Sequence, residues 1–117
     1  MTIAPVRYLV AVTACVSGVA HTYMAAERLQ KVGHHEKWQI KIETQGALGI
    51  ENKITPDDIA GADVVLLVTD IEIDDARRFC GQRTIKTSIK TFLLHPQQIA
   101  EAVKSIMKKP VVYLEIP

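Results

Sequence analysis

The chain holds no apolar run long enough to cross a bilayer. The strongest, residues 8–12 and 64–68, fall far short of the roughly 20 residues a spanning helix needs, so no direct membrane insertion is expected. It also lacks an excess of either charge: 14 Lys and Arg stand against 13 Asp and Glu, for a formal net charge of +1. That balance gives no general electrostatic attraction to nucleic acid or to an anionic membrane. Cysteine is scarce. The two present, Cys15 and Cys80, lack Cys-x-x-Cys spacing, which argues against a dithiol redox pair and fits reduced thiols. His34 and His35 fall in one turn and His95 precedes Pro96. None has metal-ligand spacing with suitable partners, so neither a metal nor a cofactor is expected. Internal repeats, low-complexity tracts and linkers are missing. Residues 1–5 have neither the charged start nor the long apolar centre of a signal peptide, which places the chain in the cytoplasm.

What is present is a chain that is 48% hydrophobic and 23% charged over 117 residues. This fits one globular domain, 1–117, with a core over about 6–109 and a tail, 110–117, whose packing the sequence leaves open. A first strand over about 6–12 lacks polar alternation, the mark of burial on both faces. A helix over about 20–32 carries Ala25, Leu29 and Val32 as its inward stripe, with Gly33 as its stop. A second strand, about 38–44, sets Trp38, Ile40 and Ile42 against Gln39, Lys41 and Glu43, which reads as an edge strand with one solvated face. Gly46 and Gly49 then read as turn residues with positive φ. Thr55-Pro56-Asp57-Asp58 is a helix start, with Thr55 as cap and an acid three residues on, for a short helix ending near Gly61.

A third strand, 63–69, is the most apolar segment and is expected at the centre. Asp74 is placed to cap a short helix through Phe79, 84–88 reads as a fourth strand, and a last helix begins near Pro96 and stops at Pro110. The alternation of strands and helices predicts an α/β fold: a single open, four-stranded parallel sheet of order 2-1-3-4 with helices on both faces, Rossmann-like in its winding. In that order strands one and three are neighbours with crossovers on opposite faces. Their carboxyl ends then form the crevice in which open α/β sheets bind ligands. Cys15 and Asp70 both fall there.

The informative stretch is 13–22, Thr13-Ala14-Cys15-Val16-Ser17-Gly18-Val19-Ala20-His21-Thr22, between the first strand and the first helix. A tight loop there turns the backbone N–H groups of residues 16–22 toward the sulfur, and the helix N-terminus adds its positive dipole end. Such an arrangement lowers a thiol pKa and offers donors to a phosphate. Cys15 is therefore a candidate nucleophile for phosphate, against the plainer reading of a small buried apolar residue. His21 reads either as an ordinary helix residue or as a phosphate contact. Ser17 and Thr22 are able to donate hydroxyl bonds, although capping explains Ser17 equally. Thr13, Thr44, Gln45, Gly46 and Asp70 form a candidate outer ring. A carboxylate repels a phosphocysteine, so Asp70 is better suited to bonding loop N–H groups than to catalysis. Cys80 has no comparable nest and reads as structural.

The run 10–15, Val-Ala-Val-Thr-Ala-Cys, with 17–27, Ser-Gly-Val-Ala-His-Thr-Tyr-Met-Ala-Ala-Glu, and 43–49, Glu-Thr-Gln-Gly-Ala-Leu-Gly, resembles the fructose-type IIB component of the bacterial phosphoenolpyruvate-dependent sugar phosphotransferase system. The resemblance spans roughly 6–107. It implies that Cys15 takes a phosphoryl group from a phosphohistidine on a IIA component, becoming a phosphocysteine, and passes it to fructose or a related sugar held by a membrane IIC component. It also implies Val16, Ser17, Gly18, Val19, Ala20, His21 and Thr22 as the phosphate-binding loop. The family loop usually carries Pro after the cysteine, where this chain has Val16, which adds an N–H and some freedom. A rival reading is a phosphatase or arsenate reductase resembling the low-molecular-weight tyrosine phosphatases. Those clamp the anion with an Arg six residues after the cysteine. Position 21 is His here, and imidazole does not replace a bidentate guanidinium.

Overall fold

The structure, a computed structural model, describes residues 5–16 and 20–117. In chain order the elements are β1 (Tyr8–Ala14), α1 (Ala20–Glu36), β2 (Gln39–Gly46), β3 (Gly49–Glu51), α2 (Pro56–Gly61), β4 (Val64–Thr69), a 3-10 turn (Ala76–Phe79), β5 (Thr84–Thr87), α3 (Ile89–Leu94), α4 (Pro96–Ile106) and β6 (Tyr113–Ile116). They build one sheet of order β3-β2-β1-β4-β5-β6. The four expected strands lie at its centre in the expected relative order and are parallel to one another.

The sheet itself differs from the expectation: it is six-stranded and mixed. Gly46 and Gly49 face each other across a two-residue turn, and Gly49 takes φ +96°, a region open to glycine at little cost. The chain therefore folds back as β3, antiparallel to β2, and covers the side where an edge was expected. At the other side the tail pairs with β5 in parallel, from Tyr113 opposite Thr84 to Ile116 opposite Thr87, with Leu114 and Ile116 packed on the core.

Why β1 and β4 are apolar throughout follows from the layers. Leu9, Ala11 and Cys15 of the β1 region, with Val64, Leu66 and Val68, face α1, α3 and α4. Val10, Val12, Val65 and Leu67 face the opposite side, under α2 and the 3-10 turn, where Ile54 and Phe79 complete a second cluster. Each fully buried side chain of this size contributes about 1.5–3 kcal/mol.

Helix ends show where the sequence pattern misled. Gly33 does not stop α1. It lies inside the helix at a close crossing, where an added Cβ would sit 2.5 Å from Ile40 Cδ1. The stop comes at Lys37, in the left-handed region with φ 63°, where the Trp38 N–H donates to the Gly33 carbonyl (2.8 Å) and the Lys37 N–H to that of His34 (3.3 Å). These two bonds are the Schellman closure. Thr55 caps α2 as expected, with Asp58 completing the reciprocal capping box and Pro56 in the first turn. Ser88 does not extend the fourth strand: its hydroxyl accepts from the Thr91 N–H and starts α3, a helix the sequence reading lacked. The segment expected to be a helix capped by Asp74 is only a 3-10 turn, preceded by Asp75 at φ 58° with no side-chain cap.

Candidate functional site

Cys15 leaves the carboxyl end of β1, 3% exposed, with its side chain on the α1 side of the sheet. The fully buried Thr22, in the first turn of α1, donates its hydroxyl to Cys15 Sγ at 2.9 Å. A hydroxyl donated to sulfur favours the charged form of a thiol. α1 runs for 17 residues, so its amino end, at Ala20, presents a fully developed dipole to this end of the sheet. Val16 is 83% exposed beside Cys15, and Ala20 and His21 are exposed on the first turn. Ser17, Gly18 and Val19, the centre of the expected phosphate loop, lie outside the described residues.

The candidate outer ring divides into two sides. On the α1 side, Thr44 Oγ1 donates to Glu51 Oε1 at 3.5 Å, and the Tyr23 hydroxyl donates to the same oxygen at 2.8 Å. This ties the β2–β3 hairpin to the first turn of α1. The bond to Glu51 also holds the Tyr23 phenol above its ordinary pKa, because losing the proton would face two negative oxygens together. Thr13 is fully buried on the same side, and its hydroxyl has no hydrogen-bond partner among the described residues. Gly46 contributes the turn and no side-chain contact.

The other side is built around the segment 70–75. The Asp70 N–H donates to the Ala14 carbonyl at 2.9 Å, and Asp70 Oδ1 accepts from the Ile89 N–H at 3.1 Å. Among the described residues the Asp70 carboxylate thus accepts from one backbone N–H, at the start of α3. Gln45 is opposite Ala14 in the sheet and reaches the far end of the segment. Its Oε1 accepts from the Asp74 N–H (2.8 Å), and its Nε2 donates to the Asp74 carbonyl (3.2 Å) and to Glu43 Oε2 (2.8 Å).

Glu43 requires the plainest correction. Its place with Gln39 and Lys41, alternating with Trp38, Ile40 and Ile42, suggested a solvated face, yet it is 0% exposed. Arg78 meets it with both terminal nitrogens, Nη1 to Oε1 at 2.8 Å and Nη2 to Oε2 at 2.5 Å, and the Ile54 N–H donates to Oε1 at 2.8 Å. Burial alone would raise the carboxyl pKa. The bonds from Arg78, Gln45 and Ile54 outweigh it and hold the group below the ordinary carboxylate value. Glu43, Arg78, Tyr23 and Glu51 were absent from the sequence-based site. The 43–49 motif contained Glu43, but nothing in it pointed to an arginine 35 residues away.

A cavity of about 530 Å³ opens on the sheet face away from α1, floored by Leu67, Thr84 and Lys86 and walled by Ile71, Phe79 and Tyr113. Cys15 does not line it. Cys80, an exposed thiol, sits at its side. Among the described residues no group of three His, Cys, Asp or Glu side chains is placed to hold a metal ion, and no helix is long and apolar enough to cross a membrane.

Known proteins match this arrangement closely. The family model described as "PTS system, Lactose/Cellobiose specific IIB subunit" matches residues 10–105. The chain is 58% identical over 103 residues to the "PTS system fructose-like EIIB component 3" of Escherichia coli strain K12, covering 88% of this chain and 91% of that protein. It is 48% identical over 82 residues to the "PTS system fructose-specific EIIB'BC component" of the same strain, covering 70% of this chain and 14% of that much longer protein. A crystal structure described as a predicted fructose-specific IIB from Escherichia coli superimposes with a TM-score of 0.91 at 54% identity, over 95% of this chain and 99% of that one. The chain belongs to the IIB family of the sugar phosphotransferase system and is a IIB domain of the fructose type.

Proposed function

We propose that Cys15 is the phosphoryl carrier of this domain. The observation that carries the reading is the buried sulfur at the carboxyl end of β1, receiving the Thr22 hydroxyl at the amino end of α1. In the first step the Cys15 thiolate attacks the phosphorus of a phosphohistidine on a IIA component. The S–P bond forms as the P–N bond breaks, and the histidine nitrogen leaves with the electron pair. In the second step a hydroxyl oxygen of fructose or a related sugar, held by a membrane IIC component, attacks the same phosphorus in line. The S–P bond breaks and the thiolate is restored, while the hydroxyl proton goes to a base on IIC. Sulfur suits both steps because thiolate is a good nucleophile and a good leaving group. The backbone N–H groups of Val16, Ser17, Gly18, Val19, Ala20, His21 and Thr22 receive the equatorial oxygens as charge shifts onto them. No metal or cofactor enters either step.

Both partners reach one sulfur in turn, so they share one surface on this domain. Val16, Met24, Leu48 and Ile50 support that reading: all four are exposed apolar side chains, on the cysteine loop, on α1 and on the β2–β3 hairpin. Apolar contacts of this size suit a transient interface at the rim of a nucleophile. In this reading residues 1–117 act as one IIB domain in the cytoplasm, against a membrane permease.

Intact mass tests the carrier role. Incubation with phosphoenolpyruvate, the general phosphotransferase proteins and candidate IIA components is expected to add one phosphoryl group to the wild type and to Cys80→Ser, and none to Cys15→Ser. Equal labelling of Cys15→Ser would refute it.

A further inference from the structure

The segment 70–75 leaves β4 on one side of β1 and reaches β2 on the other, where Gln45 holds Asp74. β1 lies between those two strands, so the segment crosses from one side of β1 to the other near the strand's carboxyl end, where Ala14 stands opposite Gln45. Each end of this strap is fixed differently. At its start, the Asp70 N–H holds the Ala14 carbonyl and Asp70 Oδ1 holds the start of α3. At its far end the only side-chain hydrogen-bond anchor among the described residues is the Gln45 amide, which bonds both the N–H and the carbonyl of Asp74. Gln45 is itself aimed by a buried group, because its Nε2 also donates to Glu43 Oε2. Glu43 in turn is fixed by the Arg78 fork and the Ile54 N–H.

The geometry points to Gln45 as a positioning residue for phosphoryl transfer at Cys15, acting through the strap, with the Glu43–Arg78 pair as its support. The inference rests on the reading of Cys15 as the phosphoryl acceptor. Its physical content is that the strap starts from the last rung of the β1–β4 ladder, the Asp70–Ala14 bond, beside the peptide that leads into Cys15. A strap released at Asp74 moves against that fixed rung and loosens the wall beside Cys15, and in-line transfer is sensitive to such displacement: a shift of about 1 Å costs on the order of a hundredfold in rate. The same arrangement accounts for the 43–45 run. Glu43 and Gln45 point to the strap side and Thr44, between them, points to the α1 side, so one short strand segment serves both walls around the nucleophile.

The test uses the full chain and a phosphorylated IIA donor, with the rate of phosphocysteine formation followed by rapid quench. Gln45→Met keeps the length of the side chain and removes its bonds to Asp74. At saturating donor it is expected to accept phosphoryl about tenfold or more slowly than wild type, with KM for the donor within about threefold. Amide exchange at Asp74 and Asp70 is expected to quicken in the same variant. Asp58→Ala, which breaks the α2 capping box at the opposite end of the sheet, serves as a destabilised control and is expected to transfer at the wild-type rate despite a lower Tm. Wild-type transfer in Gln45→Met with fast Asp74 exchange would overturn the inference, as would rates in both variants that simply follow Tm. A wild-type chain that takes no phosphoryl on Cys15 would instead remove the carrier reading itself, and that outcome is seen before any variant is compared.

Discussion

The two ends of the sheet use the same device, a carboxylate that ties separate segments together, under opposite conditions. At the amino end, Asp63 Oδ2 accepts from the Arg7 and Tyr8 N–H groups. Asp58 closes the α2 capping box there and also meets Tyr8 and Lys41. These groups are open to solvent in part or whole, and the key contact, between Thr55 and Asp58, spans three residues. At the carboxyl end, Glu43 is fully buried, and beside the neighbouring Gln45 its partners come from 11 and 35 residues away. The amino end is a local fastening that water can replace. The carboxyl end is a long-range network centred on a carboxylate closed off from solvent, and it stands beside Cys15.

The largest difference between the two ends is expected from Arg78→Ala. It strands a buried carboxylate and is expected to cost about 3–5 kcal/mol in denaturant unfolding, whereas the double variant Arg78→Met with Glu43→Gln is expected to recover most of that loss. A cost under about 1 kcal/mol for the single variant would show that water reaches Glu43 after all. Next in size is Thr55→Ala at the other end, expected to cost about 1 kcal/mol as the loss of one helix cap.

Acid separates the two ends further. Bonds from the Thr55 N–H and hydroxyl hold the Asp58 carboxyl down to about 2, against an ordinary value of 3.8. A carboxylate depressed on folding stabilises above its unfolded value, and that contribution is lost as pH falls through the folded one. The stability difference between wild type and Asp58→Asn is therefore expected to shrink between about pH 4 and pH 2. Glu43 follows the same sign, with its contribution held until pH drops below the ordinary carboxylate value. The smallest effect is expected from Cys80→Ser: within about 0.5 kcal/mol of wild-type stability, as for an exposed side chain without partners in a network.

The same contrast explains what could be read from the sequence. The Thr55 capping box was legible because its chemistry is contained in four residues, and the β1–loop–α1 passage because one apolar run, one cysteine and one helical stripe follow in order. The relative order of the four central strands followed from the handedness of crossovers. The strand β3 escaped because three residues carry no period, the tail that forms β6 was left open because its short alternation does not say what it pairs with, and α3 escaped because a six-residue helix after Ser88 looks like the end of a strand. Glu43 escaped for a deeper reason. Alternation in a strand tells which side a residue faces and says nothing of what covers that side. Only the long-range fold brings Arg78 there. Within the site, Cys15 and Thr22 were named from the motif and the structure brings them into contact. Gln45 was named as a neighbour, but its hold on Asp74 was not legible.

The central claim is that Cys15 carries a phosphoryl group onward to a sugar. The most direct test loads the chain with labelled phosphoryl from a IIA component, removes the donor, and adds membranes bearing a panel of IIC permeases with fructose and related sugars. The account predicts that label leaves Cys15 and appears on a sugar only when membranes and sugar are both present. Label released as inorganic phosphate at the same rate with and without membranes would contradict it.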